Sequence, residues 1–382
     1  MKLCVLTGQY PNQKSPYRHG FVHTRNLWYR RFGHEVMVLV PAKTAQRYVY
    51  EGIEVLEAPV KQLVAQMEKM EADVFCVHLL LHRIDTNIDG GVIYDWLLQK
   101  QARLLFFIHG VETQKIWQSR RGDIQWRRPA TIARMFYRDA YLIKRMTTTF
   151  KQFLRASTCR FVAPSMWMFR ESFSTTKVPL AETGDVIPNG INTELFEFTD
   201  RWQDRCKVLS IRPLTQQAKY AVDLFIDAAA NADPKLEFHL YGDGVDTEVH
   251  RIQNLASQQV SKSLTLHRHF LKNKEIPALH QNFGLYGAVT RMDAQGVSMC
   301  EAMASGLPVV SFDITAISEF VKHGENGFLA PPFDIRRYCD YLQELSEDRD
   351  LFDKIAQAGR ASMEAIDIRK TCQMEIDLAA SL

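Results

Sequence analysis

Short apolar runs alternate along the chain with longer stretches in which apolar residues recur every three or four positions. In the first half the runs fall at 2–7, 35–40, 52–56, 73–77, 104–108 and 160–163, with helical periodicity at 22–32 and 92–101. The second half keeps the rhythm, with runs at 208–211, 237–241, 284–289 and 308–311 and helical stretches at 221–230 and 300–304. Strands that alternate with helices predict right-handed β-α-β crossovers and parallel sheets. Runs that are apolar at nearly every position fit strands covered on both faces. Around 186–205 the pattern lapses, where a turn sequence, IPNG at 187–190, leads into a polar stretch without a period. The expectation is an α/β protein of two doubly wound, Rossmann-like domains, 1–190 and 206–360, facing across a cleft. A last helix over 367–382 would pack back on the first domain. Open α/β sheets bind ligands at the carboxyl ends of their strands.

Length agrees with two domains, since 382 residues exceed one ordinary unit of about 150. Hydrophobic residues make up 46% and charged residues 24%, a globular mix that excludes a disordered chain, a collagen and a coiled coil. Lys plus Arg (47) nearly balances Asp plus Glu (44), so no nucleic-acid partner is expected. The seven cysteines are scattered and include no Cys-x-x-Cys pair, which reads as reduced, mostly buried thiols rather than a disulfide framework or zinc knuckle. No apolar run reaches the roughly 20 residues of a membrane span, and the opening MKLCVL reads as a strand, not a signal peptide. A cytoplasmic protein is expected, soluble or held at a membrane surface.

The chemistry concentrates in 290–310, TRMDAQGVSMCEAMASGLPVV. Asp293 and Glu301 flank Gly296, the first in a loop and the second in the first turn of the helix that follows. Backbone N–H groups at a helix start suit an anion, and Glu301 can accept hydrogen bonds from sugar hydroxyls. Two acids so spaced are also what a solvated surface carries. His109 ends the run 104–108 and offers a donor and an acceptor nitrogen to a sugar hydroxyl. His78 and His82 follow the run 73–77, with no third ligand placed to make a zinc site. The loop after the first strand, 8–20, ends in Arg18, His19 and Gly20. Asp348-Arg349-Asp350 has the spacing of a metal-binding Asp-x-Asp but lies in a polar helical stretch with no strand before it. Gly242-Asp243-Gly244 lacks the third glycine of a dinucleotide fingerprint.

Together these segments resemble the retaining glycosyltransferases of family 4, which have the GT-B fold. The run EAMASGLPVV at 301–310, then AISE at 316–319 and HGENGF at 323–328, is similar to the family signature. Its Glu-seven-Glu motif has Asp293 in the first place here and Glu301 in the second. IPNGINTELF at 187–196 resembles the family's interdomain segment, LYGDG at 240–244 its glycine turn, and APS at 163–165 and HEV at 34–36 also fit. The resemblance implies transfer of a sugar from a nucleotide-diphosphate sugar to a saccharide or lipid-linked saccharide, in the manner of bacterial cell-surface polysaccharide or lipopolysaccharide synthesis. It implies no cofactor and no active-site metal. Residue by residue it implies Glu301 on the ribose hydroxyls and Asp293, one methylene shorter than Glu, on the transferred sugar. Arg212 and Lys219 would lie against the diphosphate, where charge develops in the transition state. His109 would line the reaction centre, and Gly20, with Arg18 and His19, stands where relatives carry a Gly-Gly pair. Two other readings stay open: a non-catalytic sugar- or membrane-binding protein on the same scaffold, and a nucleotide-sugar epimerase.

From Arg120 to Arg160 the chain carries eleven Lys or Arg against Asp123 and Asp139, interleaved with Trp126, Phe136, Tyr137, Tyr141, Phe150 and Phe153. A basic helix with aromatics suits an anionic membrane surface. An ordinary helix with its aromatics in the core has the same composition.

Overall fold

The computed structural model describes residues 1–15, 18–119, 124, 129–215, 217–259 and 263–382. The chain divides into two compact units. The first is Met1–Asn189 with Ile368–Leu382, and the second is Gly190–Asp367.

In the first unit the strands are β1 (Lys2–Thr7), β2 (Glu35–Pro41), β3 (Gln46–Tyr50), β4 (Ile53–Ala58), β5 (Val74–His78), β6 (Leu104–Phe107), β7 (Cys159–Ala163) and β8 (Gly184–Val186). Its helices are α1 (Gly20–Arg31), α2 (Val60–Met70), α3 (Gly90–Gln99), α4 (Ile116–Ser119), α5 (Pro129–Tyr137), α6 (Ile143–Leu154) and α7 (Met166–Thr176). The sheet order is β3-β4-β2-β1-β5-β6-β7-β8. All neighbours are parallel except β3 and β4, which turn on Glu51 (φ 44°) and Gly52 (φ 81°). Positive φ at both central residues matches the right-handed twist of a two-residue hairpin.

The second unit holds β9 (Lys207–Ile211), β10 (Glu237–Gly242), β11 (Leu264–Arg268), β12 (Leu285–Ala288), β13 (Val309–Phe312) and β14 (Phe328–Ala330). Between and after them lie α8 (Val222–Asn231), α9 (Asp246–Gln259), α10 (Ile276–His280), α11 (Val297–Ala304), α12 (Ile317–Phe320), α13 (Ile335–Glu347) and α14 (Arg349–Ala365). The order β11-β10-β9-β12-β13-β14 is parallel throughout. It reverses between β9 and β12, as the first sheet reverses between β1 and β5. In the turn after β10, a Cβ on Gly242 would lie 1.8 Å from the Arg212 carbonyl oxygen, and one on Gly244 2.1 Å from that of Leu214. Only glycine lets this turn press on the β9 loop, where the amides of Arg212 and Leu214 bond the carbonyls of Tyr241 and Asp243.

The helix α15 (Ile368–Ala380) belongs to the first unit. Its Ile368, Cys372, Ile376 and Ala379 join the core that holds Val22, Trp28 and Tyr29 of α1. Within this contact Glu375 accepts from Arg25 Nε at 2.9 Å and from the Tyr29 hydroxyl at 2.5 Å. Arg25 Nη2 also donates to Asn189 Oδ1 at 3.0 Å. Arg25 and Glu375 are both buried, so each charge depends on the other. Removing one partner of a buried pair costs about 3–5 kcal/mol. The Glu375→Ala variant should lose that much stability in denaturant unfolding, and a loss below about 1 kcal/mol would show the pair to be dispensable.

Candidate active site

In the second unit the candidate residues gather where the strand order reverses. Arg212 follows β9 directly and is buried, 6% exposed. Its Nη1 lies 3.7 Å from Asp293 Oδ2. Among the described residues its Nε and Nη2 have no hydrogen-bond partner. The Tyr286 hydroxyl of β12 accepts from the Ile211 amide at 3.3 Å, beside Arg212 and Glu301.

Asp293 and Glu301 play different local parts. Asp293 Oδ1 accepts from the amides of Gln295 (3.1 Å) and Gly296 (2.8 Å). The carboxylate thus ties down the loop that delivers Gly296, the left-handed N-cap (φ 78°) of α11. Because α11 opens at Val297, Glu301 stands in its second turn and not the first. The helix starts just after the left-handed Gly296, three residues before the pattern at 300–304. Glu301 is partly exposed, yet burial of its carboxyl pushes it up to about 8.

Lys219 lies on a short 3-10 turn before α8, with its Nζ 4.5 Å from the Tyr220 ring centre. Its carbonyl accepts from Thr290 Oγ1 (3.0 Å) and the Arg291 amide (2.9 Å). Arg291 in turn grips Asp223 with both Nη1 (2.8 Å) and Nη2 (2.5 Å). These bonds hold the β9 and β12 loops together, so Lys219 and Arg212 share one strand-end region with Asp293. The sequence pattern assigned Arg291 and Asp223 no role.

In the first unit a cluster of histidines stands at the β1/β5 reversal. Thr7 pairs with His78 across the sheet, and Thr7 Oγ1 lies 3.0 Å from His19 Nδ1. His78 Nδ1 lies 3.1 Å from His109 Nε2, and the His109 ring is 4.9 Å from that of Phe21. Burial lowers all three histidines, His19 to about 4. The neighbouring Arg25 charge adds to the lowering at His78 and His109. Three neutral imidazoles therefore line this strand edge. His19 is itself left-handed (φ 47°) as the N-cap of α1. Gly20 has open space where a Cβ would sit, whereas a Cβ on Gly8 would meet the Leu79 carbonyl oxygen at 2.6 Å. The close approach in this loop thus falls at Gly8. Arg18 is exposed. His82 belongs elsewhere, bonded to Thr149 Oγ1 at 2.9 Å and facing Asp89.

A residue that no sequence motif marked completes the cluster. Glu112, buried three positions after His109, accepts from the His109 amide at 3.2 Å. The amides of Leu79 and Gly110 also favour its charged form, while burial raises it, with a net position of about 7. Leu79 and Gly110 directly follow His78 and His109 and both have positive φ. One carboxylate thus sits among the amides of both histidine-bearing strand ends. The only sequence signal was the HGVE spacing at 109–112.

Asp348 caps α14 by accepting from the Leu351 amide, and among the described residues no group of three or more His, Cys, Asp or Glu is placed to hold a metal ion. No described helix is long and apolar enough to cross a membrane. In the basic stretch, Arg120, Arg121, Asp123, Trp126, Arg127 and Arg128 lie outside the described residues. Phe150 and Phe153 are buried in the core, while Phe136, Tyr137 and Tyr141 are exposed.

These titrations set a stability profile. The folded chain refuses protons at His19 (about 4) and His280 (about 3), and at His78 and His109. The unfolded chain takes them up below about 6.5, so stability falls as pH drops under that value. Glu112 and Glu301 keep protons that the unfolded chain releases near 4.5, so their contribution is lost as pH rises through about 7 and 8. The unliganded protein should melt highest between about pH 6.5 and 7, where the loss at the two glutamates overtakes the gain at the four histidines. Glu112→Gln should flatten the fall above pH 6.5. A melting curve of equal slope in variant and wild type would place the Glu112 titration elsewhere.

Residues 205–348 match the family of glycosyl transferases group 1. Over 138 residues the chain is 28% identical to the GtfA subunit of the UDP-N-acetylglucosamine–peptide N-acetylglucosaminyltransferase of Streptococcus pneumoniae, covering 35% of this chain and 26% of that protein. Over 130 residues it is 28% identical to the poly(ribitol-phosphate) alpha-N-acetylglucosaminyltransferase of Staphylococcus aureus, covering 32% and 25%. The matched stretch thus spans about a quarter of these relatives' length. The fold is similar to that of Anabaena Alr3699/HepE solved with UDP and glucose, with a TM-score of 0.72 over 100% of both chains at 17% identity. The two Rossmann-like halves therefore make a GT-B fold, and most of its second half is similar to the glycosyl transferases group 1 family.

Proposed function

We propose that this chain is a retaining glycosyltransferase that takes its sugar from a UDP-sugar and passes it to a saccharide, free or lipid-linked, in bacterial cell-surface polysaccharide assembly. One observation carries the reading. Arg212 is a buried cation at the strand-order reversal, with two guanidinium nitrogens unpartnered among the described residues. Buried polar groups are almost always satisfied, and a diphosphate is the bidentate acceptor that a guanidinium suits. The relatives named for N-acetylglucosamine transfer and the fold neighbour solved with UDP favour uridine as the base.

In the transfer the bond from the sugar C1 to the donor phosphate oxygen breaks. The acceptor oxygen bonds to C1 on the same face, and its proton passes to the departing diphosphate. Arg212 and Lys219 stabilise the charge that gathers there, so the reading requires no metal. Glu301 stays protonated at neutral pH and can both donate to and accept from the ribose hydroxyls. His109, kept neutral by burial, can donate to or accept from a saccharide hydroxyl at the β1/β5 reversal. The Asp293 carboxylate orders the α11 entry and faces Arg212, and its second oxygen reaches the sugar less far than a glutamate would. The enzyme would work at the inner face of the cytoplasmic membrane.

Thermal shift with UDP-N-acetylglucosamine, UDP-glucose and GDP-, ADP- and CDP-sugars tests the site. Ligand at a hundredfold over Kd adds about 2.7 kcal/mol of apparent stability. The uridine donors should raise the melting temperature of the wild type and not that of Arg212→Ala or Glu301→Ala. An undiminished shift in Arg212→Ala would remove the diphosphate assignment. Donor hydrolysis or epimerisation that no saccharide acceptor diverts would replace transfer with the epimerase-type reading.

A further inference from the structure

The segment from Pro129 to Leu154 is one uninterrupted helical rod, in which α5 runs through a π turn (Arg138–Leu142) into α6. At about 1.5 Å per residue it is about 40 Å long. None of the side chains of α5 is buried. Along the rod the exposed positions 134, 137, 141, 144, 148, 151 and 155 recur every three or four residues. Within α6 and its C-cap that spacing puts 144, 148, 151 and 155 in one stripe, and within α5 it pairs 134 with 137. The π turn joins the two, with the Tyr137 and Tyr141 rings 5.1 Å apart.

These positions hold Arg134, Tyr137, Tyr141, Lys144, Thr148, Lys151 and Arg155, and no acid. From 129 to 160 the sequence has seven Lys or Arg and a single carboxylate, Asp139. That carboxylate is turned inward. It accepts from the amides of Ile116 (3.0 Å) and Trp117 (2.9 Å) and from Arg138 (2.9 Å). Arg138 is held by this bond and by the carbonyls of Gln114 and Val111, and Arg145 by Asp89 at 2.9 Å. Among the described residues no acid pairs with Arg134, Lys144, Lys151 or Arg155. Phe136 (54% exposed), Tyr141 (48%) and Trp117 (44%) present apolar surface beside this charge.

We propose that the rod docks on an anionic lipid bilayer through the ridge Arg134, Tyr137, Tyr141, Lys144, Lys151 and Arg155. Charge complementarity selects the occupant. A long, acid-free ridge matches a flat anionic surface, and exposed aromatics suit the headgroup boundary, where amphipathic rings partition. Each Lys or Arg adds attraction at such a surface, which salt screens. The inference rests on the transferase reading only in giving the bilayer a use, as the place where a lipid-linked acceptor is met.

Co-sedimentation of the full chain with vesicles decides it. The protein should pellet with phosphatidylcholine vesicles that contain phosphatidylglycerol, not with phosphatidylcholine alone, and less as salt rises. The triple variant Lys144→Glu, Lys151→Glu, Arg155→Glu should partition more weakly by at least about a hundredfold. Tyr137→Ser with Tyr141→Ser should weaken binding while leaving its salt dependence unchanged. A wild type that stays in the supernatant with phosphatidylglycerol vesicles, or a triple variant that binds as the wild type does, overturns the proposal. Binding to a soluble polyanion such as heparin without vesicle binding overturns it in favour of a polymer partner. The UDP-sugar shift, read in the same triple variant, reports folding and the donor site separately. Its absence from the wild type would count against the transferase reading and leave vesicle binding to be judged by itself.

Discussion

A parallel strand cannot be joined to its neighbour by a tight turn. The chain must leave each strand at its carboxyl end, cross a face of the sheet and re-enter at the opposite edge. In both sheets every neighbouring pair but β3–β4 obeys this. Each sheet therefore gathers its strand exits at one edge and reverses its order once. At that reversal successive crossovers depart in opposite directions, and the loops cannot cover the gap between them. Thr7 and His78 stand beside one such gap, and Arg212 and Thr290 beside the other. What the molecule can do is set by the few side chains these exits carry.

The two buried arginines show the same chemistry put to opposite ends. Arg25 is enclosed by Glu375, Asn189 and the Phe21 carbonyl, so its charge is answered within the chain and serves the fold. Arg212 has one distant carboxylate and two nitrogens without protein acceptors among the described residues, so its charge remains open to an anion from outside. The glutamates divide in a similar way. Burial raises Glu112, and nearby backbone amides, that of His109 among them, partly offset it, while Glu301 rises because burial penalises its charge and nothing nearby offsets that.

Strands buried on both faces were legible in the sequence to within a residue or two, because a short run that is apolar at every position is stable only where both of its faces are covered. The edge strands were not. β3, with its alternating QRYVY, the short β8 and β14, and the partly exposed β11 each carry too few consecutive apolar residues to stand out. At the site, sequence motifs marked Arg212, Lys219, Asp293, Glu301 and His109, and the fold brings the first three to one strand-end region. Glu112 stayed hidden because the amides around it include Leu79, thirty-three positions earlier, and no local pattern reports a contact of that range. The loop-fastening part of Asp293 was equally invisible, since it depends on where one oxygen points and not on residue type.

The helix α15 gives the first unit an unusual history. Arg25 and Glu375 are 350 residues apart in sequence, and the whole second unit is made between them. At about 5–20 residues per second a ribosome needs about 20–70 s to span that interval. The second unit is continuous in sequence and can close on itself during this time. The first must wait with the α1 surface uncovered and a guanidinium lacking its counter-ion. The part of the chain translated first is thus completed last, and a nascent molecule carries an exposed apolar groove that chaperones, or a neighbouring nascent chain, can meet before its own final helix does.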